Sequence, residues 1–440
     1  MKHRALTIGL VAMVSLVAVE YLAVATAMPI VAEDLGGQGL YGLAFSSALA
    51  TGVIGMVAGG RWGDLRGPLE PLWTGIALFA AGLLLAGFAS IMEVFIAARL
   101  IQGFGGALIT VALYVVVARV YPESRHPWIF SLFAAAWVVP SIVGPAIVGG
   151  VTDAFGWQWV FLGVPMLTLP AAFLLWRGLR GQPVKGGQAE SAPGLIIKIV
   201  WSALTAVGAA LTQYGSDHNQ WMMVAGLVVL AVTLPRLLPR GTLRAAAGLP
   251  AVISLRGLAG SAFVAAEVFV PLMLVQERGL TPFTAGLALT GSALTWSFGS
   301  WLQGREVFSR QVNLRGGMIC IVLGLAGMAT VTFPVVPLAV AYPAWMIGGL
   351  GMGLIYPTLS VLTLELSEPG EQGANSGALQ VGESVYSVMA IALSGALFNA
   401  LGSGYLAAYL FCIALALIGL LITPRLTSAP RPAEDPLPAS

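Results

Sequence analysis

From Ala5 onward the chain is a succession of apolar runs, broken by short clusters of glycine, proline and charge. Each run is about twenty residues long, the length that crosses the hydrocarbon core of a bilayer as a helix. Composition agrees: of 440 residues, 58% are hydrophobic and 9% charged. A soluble domain carries roughly 25% charged residues, and so few charges could not cover a water-facing surface of this size. The 55 glycines suit helices in close contact within lipid, where small residues let backbones approach. A formal net charge of +2 gives no footprint for a nucleic-acid partner.

The runs predict helices near 6–30, 40–61, 70–90, 93–119, 127–151, 157–176, 194–214, 220–238, 249–275, 283–303, 316–334, 336–364, 372–398 and 403–423. That makes fourteen. Twelve is the alternative if the seventh and eighth, diluted by Lys198 and Thr212–Asn219, are dropped. Met1-Lys2-His3-Arg4, an apolar run and Ala25-Thr26-Ala27 have the outline of a signal peptide. The run is too long and Glu20 interrupts it, so it reads as a retained first helix.

Lysine and arginine favour the cytoplasmic side. With both termini inside, nineteen of the 21 fall there, Lys198 and Arg256 included, while Arg278 falls outside and Arg99 within a helix. Outer loops carry Glu33, Asp34, Glu93, Asp153, Asp217 and Glu277 instead. Three lysines against eighteen arginines read as high-GC coding, hence a bacterial cytoplasmic membrane. The polar loop Gly178–Pro193 divides the chain. The expected units are a six-helix bundle (1–177), a loop with an inserted helix pair (178–248), a second six-helix bundle (249–424) and a disordered cytoplasmic tail (425–440).

Glu20, Glu267 and Glu383 each lie inside an apolar run, as does Arg99. An ionisable group at that depth costs roughly 2.5–3.5 kcal/mol on insertion scales, so a proton or ion pathway is the default reading. On the fourth helix Arg99, Gln102, Gly103, Gly106 and Thr110 share one face, which predicts that Arg99 meets Glu20 or backbone carbonyls. On the thirteenth, Ser376, Gln380, Glu383 and Ser387 form a second polar stripe; Glu267 has no comparable one. Burial disfavours the charged carboxyl, so an acid carried between wet and dry surroundings exchanges a proton. Cys320 and Cys412 sit in apolar runs and read as small buried hydrophobes. No metal-ligand cluster, nucleotide-binding loop or nucleophile triad is visible, which argues against an enzyme or an ATP-driven pump.

Two halves are discernible. Gly60-Arg61-Trp62-Gly63-Asp64 closes the second helix, and Gly299-Ser300-Trp301-Leu302-Gln303 closes the tenth, with Gln303 where Asp64 stands. Such repeats are common in secondary transporters, with the substrate site between them at mid-membrane.

Motifs in chain order resemble those of the major facilitator superfamily. Gly60-x-x-x-Asp64-x-Arg66-Gly67 is similar to its signature after helix two, and Arg99-x-x-Gln102-Gly103-x-Gly105 to its helix-four motif. Gly144-Pro145-x-x-x-Gly149-Gly150 resembles the helix-five motif of its antiporters. Glu20 followed by Pro29 resembles the helix-one motif of the fourteen-helix drug:proton antiporters, with Glu in place of Asp and Leu22 in place of Thr. Pro68-Leu69 replaces the usual basic pair after Gly67. Gly349-x-Gly351-x-Gly353-x-x-x-Pro357 and Glu371-Gln372-Gly373-x-x-Ser376-Gly377 extend the likeness to the second half.

The resemblance implies two six-helix bundles with an inserted pair, and an exporter of small amphipathic compounds driven by the proton gradient, without a cofactor or metal. Glu20, Arg99, Glu267 and Glu383 are the expected proton-coupling residues. Three buried acids against one base suggest cationic substrates. Gln102, Trp137, Trp296, Tyr356, Gln380 and Tyr386 are the expected cavity walls. Gly60, Asp64, Arg66, Gly67, Gly144, Pro145, Gly149 and Gly150 are the expected conformational gate. By the same likeness Asp64 joins the halves at the N-terminus of helix thirteen while the cytoplasmic side is closed. Gly149 and Gly150 are expected to lend close packing and pliability. A monomer in the bilayer is expected, with a small-molecule or lipid substrate and no nucleic acid. A lipid or glycolipid transporter of the same fold, and a non-transporting scaffold or sensor, are the alternatives.

Overall fold

The computed structural model describes residues 2–37, 40–182, 184, 194–401 and 404–426. Among these the chain forms fourteen α-helices. The first seven are α1 (Lys2–Asp34), α2 (Tyr41–Arg66), α3 (Leu69–Gly87), α4 (Met92–Val120), α5 (His126–Phe155), α6 (Gln158–Leu179) and α7 (Leu195–His218). The others are α8 (Gln220–Leu237), α9 (Leu249–Gln276), α10 (Pro282–Gly304), α11 (Arg310–Val331), α12 (Ala341–Glu365), α13 (Gln372–Ala400) and α14 (Tyr405–Ile422). Every apolar run is a helix. The ends differ where capping, rather than hydropathy, decides. α11 starts six residues early because Ser309 caps it, its Oγ accepting from Val312 N at 3.4 Å. α12 starts late because the chain after Pro337 first makes a short 3-10 turn, Leu338–Val340. Most of the tail expected to be disordered, 427–440, lies outside the described residues.

Twelve of these helices are long and apolar enough to cross a membrane, judged on the described residues. α7 and α8 are among them, so the pair whose loss the twelve-span alternative required meets the criterion. The two not among them are α2 and α10, and in α10 threonine, serine and glycine dilute the apolar run. Those small residues have a packing role. Thr295 on α10 donates to Met346 O on α12 at 2.6 Å, and Thr51 on α2 donates to Leu100 O on α4 at 2.7 Å. The two bonds occupy equivalent places in the two halves. Beside them Gly103 faces the backbone of Ala48, and Gly353 that of Trp296, too closely to admit a side chain. In lipid no hydrophobic force drives helices together, so such close approach and interhelical bonding hold them.

α1–α6 pack on one another, and α9–α14 do the same. The groups meet along two seams, α2 against α13 and α5 against α10, with α4–α13 and α5–α12 contacts between. α7 and α8 form a tight hairpin in which Gly215 abuts the Met223 backbone and Gly226 that of Thr212. This hairpin lies on the α2–α13 seam: α7 touches both α2 and α13, and α8 touches α13. Cys320 and Cys412 are both free, Cys412 buried and Cys320 partly so.

Candidate functional site

α1 and α4 bring Glu20 and Arg99 into a buried ion pair, with Nη1 of Arg99 donating to Oε1 of Glu20. The same nitrogen donates to Gln102 Oε1 at 2.6 Å, one turn along the polar face of α4. Glu20 is 8% exposed and Arg99 4%, and the Arg99 Nε finds no partner among the described residues. Gln102, expected as a cavity wall, is 1% exposed. It does not line the cavity in this conformation, because its amide is the acceptor Arg99 needs.

A second cluster involves a residue that the cation count placed among the cytoplasmic arginines. Arg256 is 7% exposed, two turns inside α9. Its Nε donates to Glu383 Oε2 at 2.7 Å, and its Nη1 donates to Tyr356 O at 2.9 Å and Ser360 Oγ at 3.2 Å. Tyr356 donates its hydroxyl to Glu383 Oε1 at 2.7 Å, while its ring lies 3.6 Å from the guanidinium centre of Arg256. Gly260 leaves room for that hydroxyl, and Gly257 for the ring of Tyr386, whose hydroxyl is bonded to Ser254. Trp296 meets Tyr356 edge-on at 5.2 Å. Tyr114 of α4 lies 3.2 Å from Ser360 Oγ, which ties the cluster to the opposite half.

These contacts correct one expectation. Among the described residues two arginines are buried, not one, so Glu20 and Glu383 are each compensated. Arg256 stands eleven residues, three helical turns, before Glu267, so the two share one face of α9. The periodicity was available in the sequence. It was obscured because Arg256 lies close enough to the helix start to pass for a loop cation.

Glu267 is half-buried and makes no hydrogen bond or ion pair among the described residues. Tyr21 lies within Coulombic reach of Glu267 across the halves, and of Glu20 and Arg99 within its own. Yet Tyr21 is 55% exposed, its ring meeting Trp137 at 5.9 Å in a T-shaped pair. A side chain reached by charges from α1, α4 and α9 yet open on one side faces a cleft between the bundles. Gln380 is instead buried, donating to Ser376 O at 3.4 Å.

Asp64 lies at the end of α2, fully buried, and accepts from Gly373 N at 2.7 Å and Ala374 N at 2.8 Å in the first turn of α13. Free backbone N–H groups and the helix dipole make that terminus an anion site. Gly60 and Gly373 face each other's backbone so closely that neither admits a β-carbon, and a β-carbon on Gly377 would stand 2.5 Å from Met56 O. Gly67 ends α2 with φ +89°, where a side chain would be strained. Arg66 does not join the halves; it is exposed and pairs with Glu70 at 3.6 Å. At the same end of the other seam, Gly304 meets Ser131, and Gln303 is buried with Oε1 unpaired.

Gly149 and Gly150 of α5 do not provide the close packing expected of them, and Gly144 is equally open. A β-carbon on any of the three would meet nothing within 4 Å. The side chain of Pro145 lies outside the described residues.

Two bundles related by repeated helices, latched by a carboxylate on a helix N-terminus and enclosing buried ion pairs, define a multi-pass membrane transporter rather than an enzyme. The chain belongs to the Major Facilitator Superfamily, whose model matches residues 8–390. It is 26% identical over 420 residues to the multidrug transporter protein MdtP of Bacillus subtilis, covering 91% of this chain and 76% of that one. It is 27% identical over 434 residues to the probable multidrug-efflux transporter Rv1634 of Mycobacterium tuberculosis, covering 92% and 90%. The human organic anion transporter MFSD10 has the same fold, with a TM-score of 0.73 at 14% identity, covering 96% of this chain and 99% of that one.

Proposed function

We propose that the protein is a proton-coupled exporter of amphipathic, drug-like compounds, with fourteen transmembrane helices, both termini in the cytoplasm and a monomeric working unit. The names of the relatives support efflux. The observation that carries proton coupling is the Glu20–Arg99 pair, buried beside the Tyr21 cleft. With Asp64 seated on α13, the cytoplasmic side is closed and the cleft faces outward. Protonation of Glu20 removes the charge that holds Arg99 and frees the bundles to change partners; substrate and proton then compensate the cleft alternately. With Glu20 and Glu383 each matched by an arginine, any preference for cations rests on Glu267 alone.

The test is substrate-induced proton release in reconstituted vesicles, with ethidium as the first probe. Release is expected from the native protein and lost in Glu20→Gln. Undiminished pH dependence in both Glu20→Gln and Glu267→Gln would overturn the assignment.

A further inference from the structure

The inserted α7–α8 hairpin gathers cations at the end where it meets α2. α7 begins at Leu195 and α8 ends at Leu237, so Lys198 and Arg236 lie at the same end of the hairpin. α2 packs on α7 and ends at Arg66, five residues beyond Arg61. Lys198 and Trp201 are three residues apart on one face of α7, and the Arg236 guanidinium lies 4.3 Å from the centre of the Trp201 ring. Lys198 is partly buried and within Coulombic reach of Arg61, and also of Glu371, which is exposed just before α13. Like charges drawn together at the edge of an apolar body repel, and leave a place for an anion. Two other arginines at helix ends have one: Arg66 pairs with Glu70 at 3.6 Å and Arg310 with Glu365 at 2.8 Å. Lys198, Arg61 and Arg236 have no ion pair among the described residues. Asp64 is within reach of Arg61, but its two oxygens are taken by the N–H groups of Gly373 and Ala374. The flanking surface is apolar: Ile196, Ile197 and Val200 on α7 and Val232 on α8 are exposed.

We propose that this corner of α2, α7 and α8 seats the phosphate of an anionic phospholipid. Lys198, Arg61 and Arg236 supply the donors, Trp201 stands beside them at headgroup level, and the acyl chains run along the exposed isoleucines and valines of the hairpin. Three cations against the one carboxylate of Glu371 leave the corner net positive, so it selects a negative headgroup over a zwitterionic one. A headgroup touching all three helices fastens the hairpin to the bundle that carries Asp64. With both termini in the cytoplasm, as in the exporter reading on which this rests, the corner faces the cytoplasmic leaflet.

The test is native mass spectrometry of the full chain in detergent, titrated with phosphatidylglycerol and separately with phosphatidylcholine. One phosphatidylglycerol is expected to be held about tenfold more tightly than phosphatidylcholine. Lys198→Gln, Arg61→Gln and Arg236→Gln are each expected to weaken it about fivefold, the worth of one basic residue beside an anionic headgroup. Lys198→Arg keeps the charge and is expected to keep the lipid. Arg310→Gln removes a cation that already has a carboxylate partner, and is expected to change nothing. Equal affinity for the two lipids overturns the proposal, as does a preference untouched by all three glutamine variants. Displacement of phosphatidylglycerol by millimolar inorganic phosphate also overturns it, assigning the corner to the free ion. The measurement needs neither gradient nor substrate. Absence of ethidium export with the lipid preference intact sinks the exporter reading and leaves this site standing.

Discussion

Asp64 and Gly373 sit 309 residues apart in sequence, yet the carboxylate of one accepts the backbone N–H of the other at 2.7 Å, joining the two bundles at one end. The bond is geometrically demanding, because Gly60 on the same helix must also clear the Gly373 carbonyl. Hydrogen bonds to a charged group contribute about 1.5–3 kcal/mol. Asp64→Asn is therefore expected to shift the equilibrium away from the latched state by about tenfold or more. Distances between spin labels on α2 and α13 would report it, as a longer population that grows in the variant. Gly373→Ala should give the same shift by steric means.

The Glu20–Arg99 pair predicts a particular non-additivity. Removing one partner strands a buried charge, at a cost of about 3–5 kcal/mol. Glu20→Gln and Arg99→Gln are each expected to lower the melting temperature in detergent. The double variant should recover most of that loss while remaining uncoupled from protons. Simple addition of the two losses would mean that the residues do not act on each other.

Thr51 and Thr295 make equivalent bonds in opposite halves, to Leu100 O and Met346 O. Each Thr→Val change is expected to cost about 1 kcal/mol, the net worth of such a bond. Because the sites share no partner, the double variant should lose the sum to within about 0.5 kcal/mol. Denaturant unfolding in mild detergent measures both.

Tyr356 holds Glu383 by a single hydroxyl, beside the stronger grip of Arg256. Tyr356→Phe is expected to cost about 0.5–1.5 kcal/mol and keep the ring under the guanidinium. Arg256→Gln leaves Glu383 uncompensated and should be several-fold more damaging, to stability and to transport alike. Parallel transport and melting assays on the two variants give the comparison.

All fourteen helices were legible because lipid imposes a length and an apolarity that few sequences meet by accident. The Glu20–Arg99 pairing was legible too, as one of two options, since an apolar helix with one polar face must turn it inward. Arg256 was not, because near a helix start a buried cation and an interfacial one have the same neighbours in sequence. Nor was the role of the α5 glycines. Gly149 and Gly60 look alike in a motif, and only the packing separates open space from a tight crossing. The same holds for Gln102, whose burial is set by what Arg99 requires across the turn.

α7 touches both α2 and α13, one from each bundle. A stiff rod resting on two bodies keeps both contacts only where their relative travel is small. If the bundles rock against each other as the proposed export cycle requires, their axis belongs beside α7 and the opposite margin of the molecule travels furthest, like the fore-edge of a book whose spine is bound.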